Sequence, residues 1–454
     1  MPNKLPYKYI ILGILFGMIC FLKPIVFLLI SIVTVFMAFI SGVDKSDRIV
    51  LRRLVITALI LRFLFTAIAI FSVPALEGHF KGAFMENVIG HNLQLFRDFH
   101  REILNGRHLA DYFLGKYAGT SMKEVAHSGA TSFLTVGAYF RAWLNLIFGE
   151  SILNSFVFPL ISTVAVIIAY YLAKEIFNRK AAVVFSSMMA VLPSFVVWSC
   201  INMRTSIGVI AMLLSGYGLV KFSKENNFKF LIYLIFGASM INFAKDKFFV
   251  PFIAIIPWLL FLCFKIKFSK KVIVSILMFV LVANAAEKIP FARNRVQSLF
   301  VDMLSRQKSY AVYEHGSNYA IYDDFFYQQD LKKVGYVSPL VFIKALPKGV
   351  AYLLFSPFPW KINNQLRLFS YPQIILWYFL FLLSLIGILV GLRHRLQMAL
   401  PILIFAAYWV ILLALTMGNE GIAARQRDLV LPFFYLFTSA AILHLLGKDF
   451  LEQK

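Results

Sequence analysis

LVITALILRFLFTAIAIFSV, residues Leu54–Val73, carries a single charge, Arg62, in an otherwise apolar run. Its length is what a helix needs to cross bilayer hydrocarbon, about 20 residues. Arg52-Arg53 stands directly before it, and basic residues gather on the cytoplasmic side of spans, so this helix runs outward. The character then changes. Pro74–Glu150 is polar, with Glu77, Glu86, Asp98, Glu102, Asp111 and Glu124, and with His79, His91, His100, His108 and His127. A second apolar run, Ile152–Leu172, follows. Span, long outer loop and returning span make this an all-α polytopic membrane protein. A polar loop at the water interface is where such a protein can place acid–base chemistry; the plainer alternative is a solvated loop whose charges balance.

Composition agrees. Hydrophobic residues make up 60% of the 454, and Phe alone supplies 48, against about 45–50% apolar in soluble chains. No alternating pattern of ten-residue segments indicates a β-barrel. The formal charge is +23, from 45 Lys+Arg against 22 Asp+Glu. The basic residues lie in short clusters between apolar runs, which points to anionic lipid headgroups and away from nucleic acid. Cys20, Cys200 and Cys263 are far apart and show neither metal-ligand spacing nor a disulfide framework.

Lys23-Pro24 divides Tyr9–Leu22 from Ile25–Val43, so the chain opens on a helical hairpin. No small-residue cleavage site follows the first run, which reads as a retained span. Thr131–Phe148, with Tyr139, Phe140, Trp143 and Ile147, reads as an amphipathic helix on the outer membrane surface. Ile152–Leu172, Ala181–Ser199, Thr205–Phe222, Phe230–Ala244, Val250–Phe264 and Val272–Ala286 then alternate across the membrane. A second polar segment, Glu287–Pro372, emerges on the same side as the first. Pro372–Leu392, Met398–Met417 and Leu431–Leu446 complete about 12 spans, with both termini cytoplasmic and every short basic cluster inside. The expected organisation is one transmembrane domain, 1–454, with extracytoplasmic loops at 74–151 and 287–372 carrying interfacial helices. No internal repeat is visible, which disfavours a symmetric transporter.

Four polar stretches converge on the outer side: the first loop; Trp198–Ser206 with Arg204; Glu287–Pro372; and Gly418–Asp428 with Arg425 and Arg427. Arginines at outer span ends run against the usual charge distribution, so something should hold them. A phosphate or pyrophosphate of a lipid-linked substrate suits the guanidinium fork of Arg204, Arg425 and Arg427. Pairing with Glu420, Asp428 or lipid headgroups is the alternative. In the third stretch Glu314-His315 stands among Tyr310, Tyr313, Tyr319, Tyr322 and Tyr327, aromatic faces beside polar groups that suit sugar recognition or simple interface anchoring. Leu346-Pro347-Lys348-Gly349 and Pro357-Phe-Pro359-Trp360 suggest a re-entrant or interfacial helix with Trp360 at headgroup level. No His-x-x-x-His or Asp-x-Asp occurs, so no metal is expected from the histidines; Asp323-Asp324 is the one pair that could take a divalent cation. No Walker loop or Gly-x-Ser-x-Gly is present.

Leu192-Pro193-Ser194, Trp198-Ser199, Arg204-Thr-Ser206 and Gly418-Asn419-Glu420-Gly421 with Arg425-Gln-Arg427 and Pro432, taken with the order of loops and spans, resemble the bacterial multi-spanning GT-C glycosyltransferases. That superfamily includes protein mannosyltransferases and the lipid A aminoarabinose transferase. The resemblance implies a polyprenyl-phosphate-linked sugar donor, a glycan, lipid or protein acceptor, and a bacterial inner-membrane location. It also implies a first-loop carboxylate as general base on the acceptor hydroxyl, with arginines on the leaving phosphate. His91-Asn92 occupies the place where the family usually carries its Asp, with Asn92 in that position, so either Glu86, Asp98 or Asp111 supplies the base or the chain has lost transferase activity. Two other classes stay open: an O-antigen-type polymerase or ligase, which uses arginines without an obligatory carboxylate, and a non-catalytic transporter of lipid-linked glycan.

Overall fold

The computed structural model describes residues 45–71, 94–116, 136–201, 203–244, 249–264, 321–322, 339–361 and 365–447, with scattered single positions elsewhere. The elements are α1 (Lys45–Phe71), α2 (Gln94–Phe113), α3 (Val136–Phe148), α4 (Val157–Ser162), α5 (Val164–Ile176), α6 (Arg179–Val191), α7 (Pro193–Ile201), α8 (Met203–Glu225), α9 (Leu231–Ala244), α10 (Phe249–Cys263), α11 (Pro339–Phe355), α12 (Gln365–Thr416), α13 (Glu420–Arg427) and α14 (Leu431–Leu445). The described residues are helical, without an extended strand, as expected of backbone that must satisfy its own hydrogen bonds in lipid. Among the described residues four helices are long and apolar enough to cross a membrane: Lys45–Ile70, Leu153–Ile176, Arg204–Glu225 and Pro372–Thr416. Two bent pairs bring the number to six, α6 with α7 at 51° and α13 with α14 at 53°.

The 45-residue stretch Pro372–Thr416 would measure about 68 Å as one rod, over twice the hydrocarbon thickness. It folds back instead. Arg395 leaves helical geometry (φ −136°, ψ 36°), and a Cβ on Gly391 would lie 3.6 Å from the Ala399 Cβ, where a straight helix would hold these positions about 12 Å apart. The break falls in Arg393-His394-Arg395, the basic turn where the sequence places the end of one span and the start of the next. The hairpin Tyr9–Leu22 and Ile25–Val43, most of Glu287–Pro372 and the span Val272–Ala286 lie largely outside the described residues.

The chain forms two compact units, residues 1–167 with 186–207, and residues 168–185 with 208–454. In the first, α1 shows why a membrane span reads inside out. Ile49, Ile56, Ile60, Leu64 and Ile68 form an exposed apolar stripe, while Leu51, Val55, Ala58, Arg62, Thr66 and Ala69 on the other face are buried. Lipid accepts the first face, and α4 and α7 pack on the second. Next to it α2 and α3 form a close pair. A Cβ on Gly106 would come within 2.6 Å of the Arg141 Cβ, and one on Gly137 within 2.6 Å of Glu102. Leu109, Ala110, Ala138 and Ala142 fill the seam. Leu144 joins Ile25 and Val157 beneath α3.

In the second unit α12 and α14 approach backbone to backbone. Any side chain at Gly387 would collide with the Phe437 carbonyl, and Gly391 meets the Phe437 ring. Gly387 and Gly391 thus make a small-residue seat of the kind that lets membrane helices gain dispersion contact without a hydrophobic driving force. The Thr438 hydroxyl donates to the Leu380 carbonyl at 3.0 Å across the same seam, and Trp377 packs edge-on against Phe381, Phe434 and Tyr435. At the basic rim Lys221 and Lys224 hold Glu175 at 3.1 and 2.9 Å.

Candidate active site

Of the carboxylates expected to act as base, Asp98 and Asp111 both lie on α2, while Glu86 is outside the described residues, as are His91, Asn92, Glu314 and His315. Asp98 and Asp111 are thirteen positions apart (111 − 98), about 20 Å along the helix axis, so one reaction centre can use only one of them. The Asp111 carboxylate is held by Lys116 at 2.6 Å, an exposed pair of small energetic weight.

A third acid of the same helix has a structural task. Glu102 is 5% exposed and Arg141 3%, and the glycines described above let α2 and α3 close over them. Arg141 donates to the Ser155 hydroxyl at 2.9 Å and lies over the Phe158 ring at 4.4 Å. Burial lowers the Arg141 guanidinium to about 10, with the Glu102 charge opposing the shift, so it stays cationic at neutral pH. An uncompensated buried charge is expensive, which explains why this hairpin keeps an acid and a base of opposite sign at one seam. Sequence spacing gave no hint of the pair.

Arg204 occupies the first turn of α8 and is half-buried. A cation there adds to the positive end of the helix dipole, an arrangement that favours an anion. What precedes it is a broken span. Arg62 donates to the Met189 and Ala190 carbonyls at 3.0 and 3.2 Å, the last turn of α6, and to the Ser162 hydroxyl at 3.1 Å. Its own carbonyl accepts from the Cys200 thiol of α7 at 3.2 Å and from the Thr66 hydroxyl at 2.8 Å. Proline at position 193 cannot continue the helix bonding of α6, and Arg62 supplies donors to the carbonyls thus left over. The intramembrane arginine is therefore a joint between helices.

Arg425 and Arg427 close α13. Asn419 caps its start, Oδ1 accepting the Gly421 N–H at 2.7 Å, and the Gly418 carbonyl accepts the Ile321 N–H at 2.9 Å. Glu420 in the first turn and both arginines in the last match the helix dipole. Arg427 is 4% exposed and donates through Nη1 to the carbonyls of Leu354 and Ser356, at 3.2 and 2.9 Å. Buried Asp428 stands beside it. Arg425 is half-buried. The pair that looks alike in sequence differs in burial, Arg427 being buried with its guanidinium on backbone carbonyls and Arg425 half-buried.

Residues 135–286, which hold α3 to α10, match the family model for dolichyl-phosphate-mannose-protein mannosyltransferases. No curated protein matches the chain. The family match bears out the GT-C resemblance and supports a membrane glycosyltransferase of that type. It includes Arg204 and leaves Asp98, Asp111, Arg425 and Arg427 outside.

Proposed function

We propose that this chain moves a sugar from a polyprenyl-phosphate-linked donor to a glycan, lipid or protein acceptor on the extracytoplasmic face, in cell-surface polysaccharide or glycolipid assembly. The observation that carries the reading is the family match over 135–286, within which Arg204 opens α8 behind a clamped break. The acceptor hydroxyl attacks the anomeric carbon as its proton passes to a carboxylate, and the bond from that carbon to the phosphate oxygen breaks. The leaving phosphate takes up the electron pair, and Arg204, Arg425 and Arg427 are each a candidate for neutralising the charge that develops there. Glu86, Asp98 and Asp111 are the candidate bases, and His91, Asn92, Glu314 and His315 the candidate sugar contacts. The same reading places about 12 spans in one transmembrane domain of the inner membrane, both loops outside and both termini in the cytoplasm.

A second reading has one observation in its favour. Asp111 is engaged by Lys116 and Glu102 lies against Arg141, which suits polymerase- or ligase-type chemistry that relies on arginines alone. Transfer of labelled sugar from a synthetic polyprenyl-phosphate donor separates the two. Glu86→Gln, Asp98→Asn, Asp111→Asn and Arg204→Ala are compared with wild type in membranes. Loss of transfer with a single carboxylate supports the first reading. Transfer that survives every acid substitution and falls with Arg204→Ala supports the second, and intact glycan crossing the membrane without transfer would overturn both.

A further inference from the structure

The last turn of α11 leaves carbonyls that no helical N–H can reach. Three side chains fill the gap. Trp377 Nε1 donates to Leu354 at 2.6 Å, the Tyr378 hydroxyl to Phe355 at 2.6 Å, and Arg427 Nη1 to both Leu354 and Ser356. The chain that leaves this clamp is Pro357-Phe358-Pro359-Trp360, with two prolines fixing φ on either side of Phe358. Phe358 stands edge-on against Tyr352 at 5.0 Å and stacks face to face with Trp360 at 5.1 Å and 22°. Trp360 is nevertheless 75% exposed.

A comparison with Trp143, 62% exposed, is instructive. Trp143 belongs to a continuous apolar stripe of α3 with Tyr139, Leu146 and Ile147, all exposed, the pattern of a helix lying in lipid headgroups. Among the described residues Trp360 has no such stripe. It lies in the short turn Pro359–Lys361. An aromatic face held rigidly and open to water is what the CH face of a pyranose ring stacks on. A lipid anchor requires neither the clamp nor the stacked pair.

We infer that Phe358 and Trp360 form a stacking platform for a pyranose ring of a glycan acceptor, and that Arg427, Trp377 and Tyr378 are the residues that position it. This rests on the glycosyltransferase reading for its role, though binding itself is measurable alone. The test uses the full chain in nanodiscs, as wild type, W143F and W360F. Gluco-, manno- and galacto-configured tetrasaccharides are titrated to millimolar concentration, and brominated lipids serve as quenchers. At least one tetrasaccharide is expected to shift the tryptophan emission of wild type and W143F but not of W360F, and brominated lipid should quench the Trp143 component far more strongly. Equal lipid quenching of Trp360, or no saccharide response, would overturn the platform. In the transfer assay Trp360→Ala should raise the acceptor KM about three- to tenfold while the donor KM holds, with Trp360→Phe restoring most of the loss. Saccharide binding without transfer from any donor would sink the enzyme reading and leave the platform standing. Transfer with an unchanged acceptor KM in Trp360→Ala would do the reverse.

Discussion

Arg62 and Arg427 perform the same act in different halves of the molecule. Each is buried, and each donates to carbonyls at the end of a helix just before a proline, at Leu192-Pro193 in one case and Ser356-Pro357 in the other. They differ in what is left over. Arg62 uses Nε, Nη1 and Nη2 on four acceptors, Ser162, Ala58, Ala190 and Met189. Arg427 donates through Nη1 to Leu354 and Ser356, beside buried Asp428, and its buried Nε makes no hydrogen bond. The first arginine has four of its five N–H donors engaged by the fold. The second holds the end of one helix through a single amino group. A buried arginine is informative about function only after its donors have been counted.

The largest expected effect comes from removing Arg62, which engages the more acceptors. Arg62→Leu strands the α6 carbonyls and should cost on the order of 3 kcal/mol, read as loss of the monodisperse protein in detergent or a collapsed melting temperature. Arg62→Lys should recover only part of this, because a compact ammonium with three donors cannot span the three carbonyls and the hydroxyl that the planar guanidinium reaches. If Arg62→Leu melts like wild type, the joint is ornamental and the comparison fails. Gly387→Leu comes next, since it drives a side chain into the Phe437 carbonyl; overpacking of this kind costs about 1–3 kcal/mol, again seen in melting.

Arg427→Met should weaken stability less than Arg62→Leu, by about 1–2 kcal/mol, and should reduce Trp360 stacking even where the protein remains folded. A pattern in which Arg427→Met destabilises more than Arg62→Leu would reverse the ranking drawn above. The smallest effect concerns pH. Arg141 has its folded pKa pulled below the ordinary guanidinium value, to about 10, by burial. The sign is that of a burial penalty: constant while both states are charged, and relieved only as pH rises above about 10. Melting of the α2–α3 pair should therefore be flat from about pH 6 to about pH 9. Glu102→Gln, which removes the counter-charge, should lower that melting at every pH in the range.

Reading the chain in order was most informative where the physics is local. The apolar lengths, the basic turns and the helix-breaking Pro193 are visible residue by residue, and the helical class and the fold-back at Arg393–Arg395 follow from them. The span read at Leu54–Val73 is part of a helix that already begins at Lys45 and takes in the basic cluster before it. The span Ala181–Ser199 is instead two helices meeting at 51°, because Leu192-Pro193 ends α6 and Arg62 stabilises the bend. The late Arg-x-Arg turn reads in sequence as the most informative phosphate site; in the structure Arg427 is buried on the carbonyls of Leu354 and Ser356 and Arg425 is half-buried.

What the sequence determined by itself is the helical membrane class of this chain, since burial in lipid and backbone satisfaction act over a single helix. Which arginine, acid or tryptophan is structural and which is free to meet a substrate was decided only by tertiary structure. The reason is distance along the chain: Arg62 finds its carbonyls 127 and 128 positions away, and Arg427 finds its own 71 and 73 positions away. No local pattern encodes such partners, because a hydrogen bond depends on the position of two atoms in space and is indifferent to the length of chain between them.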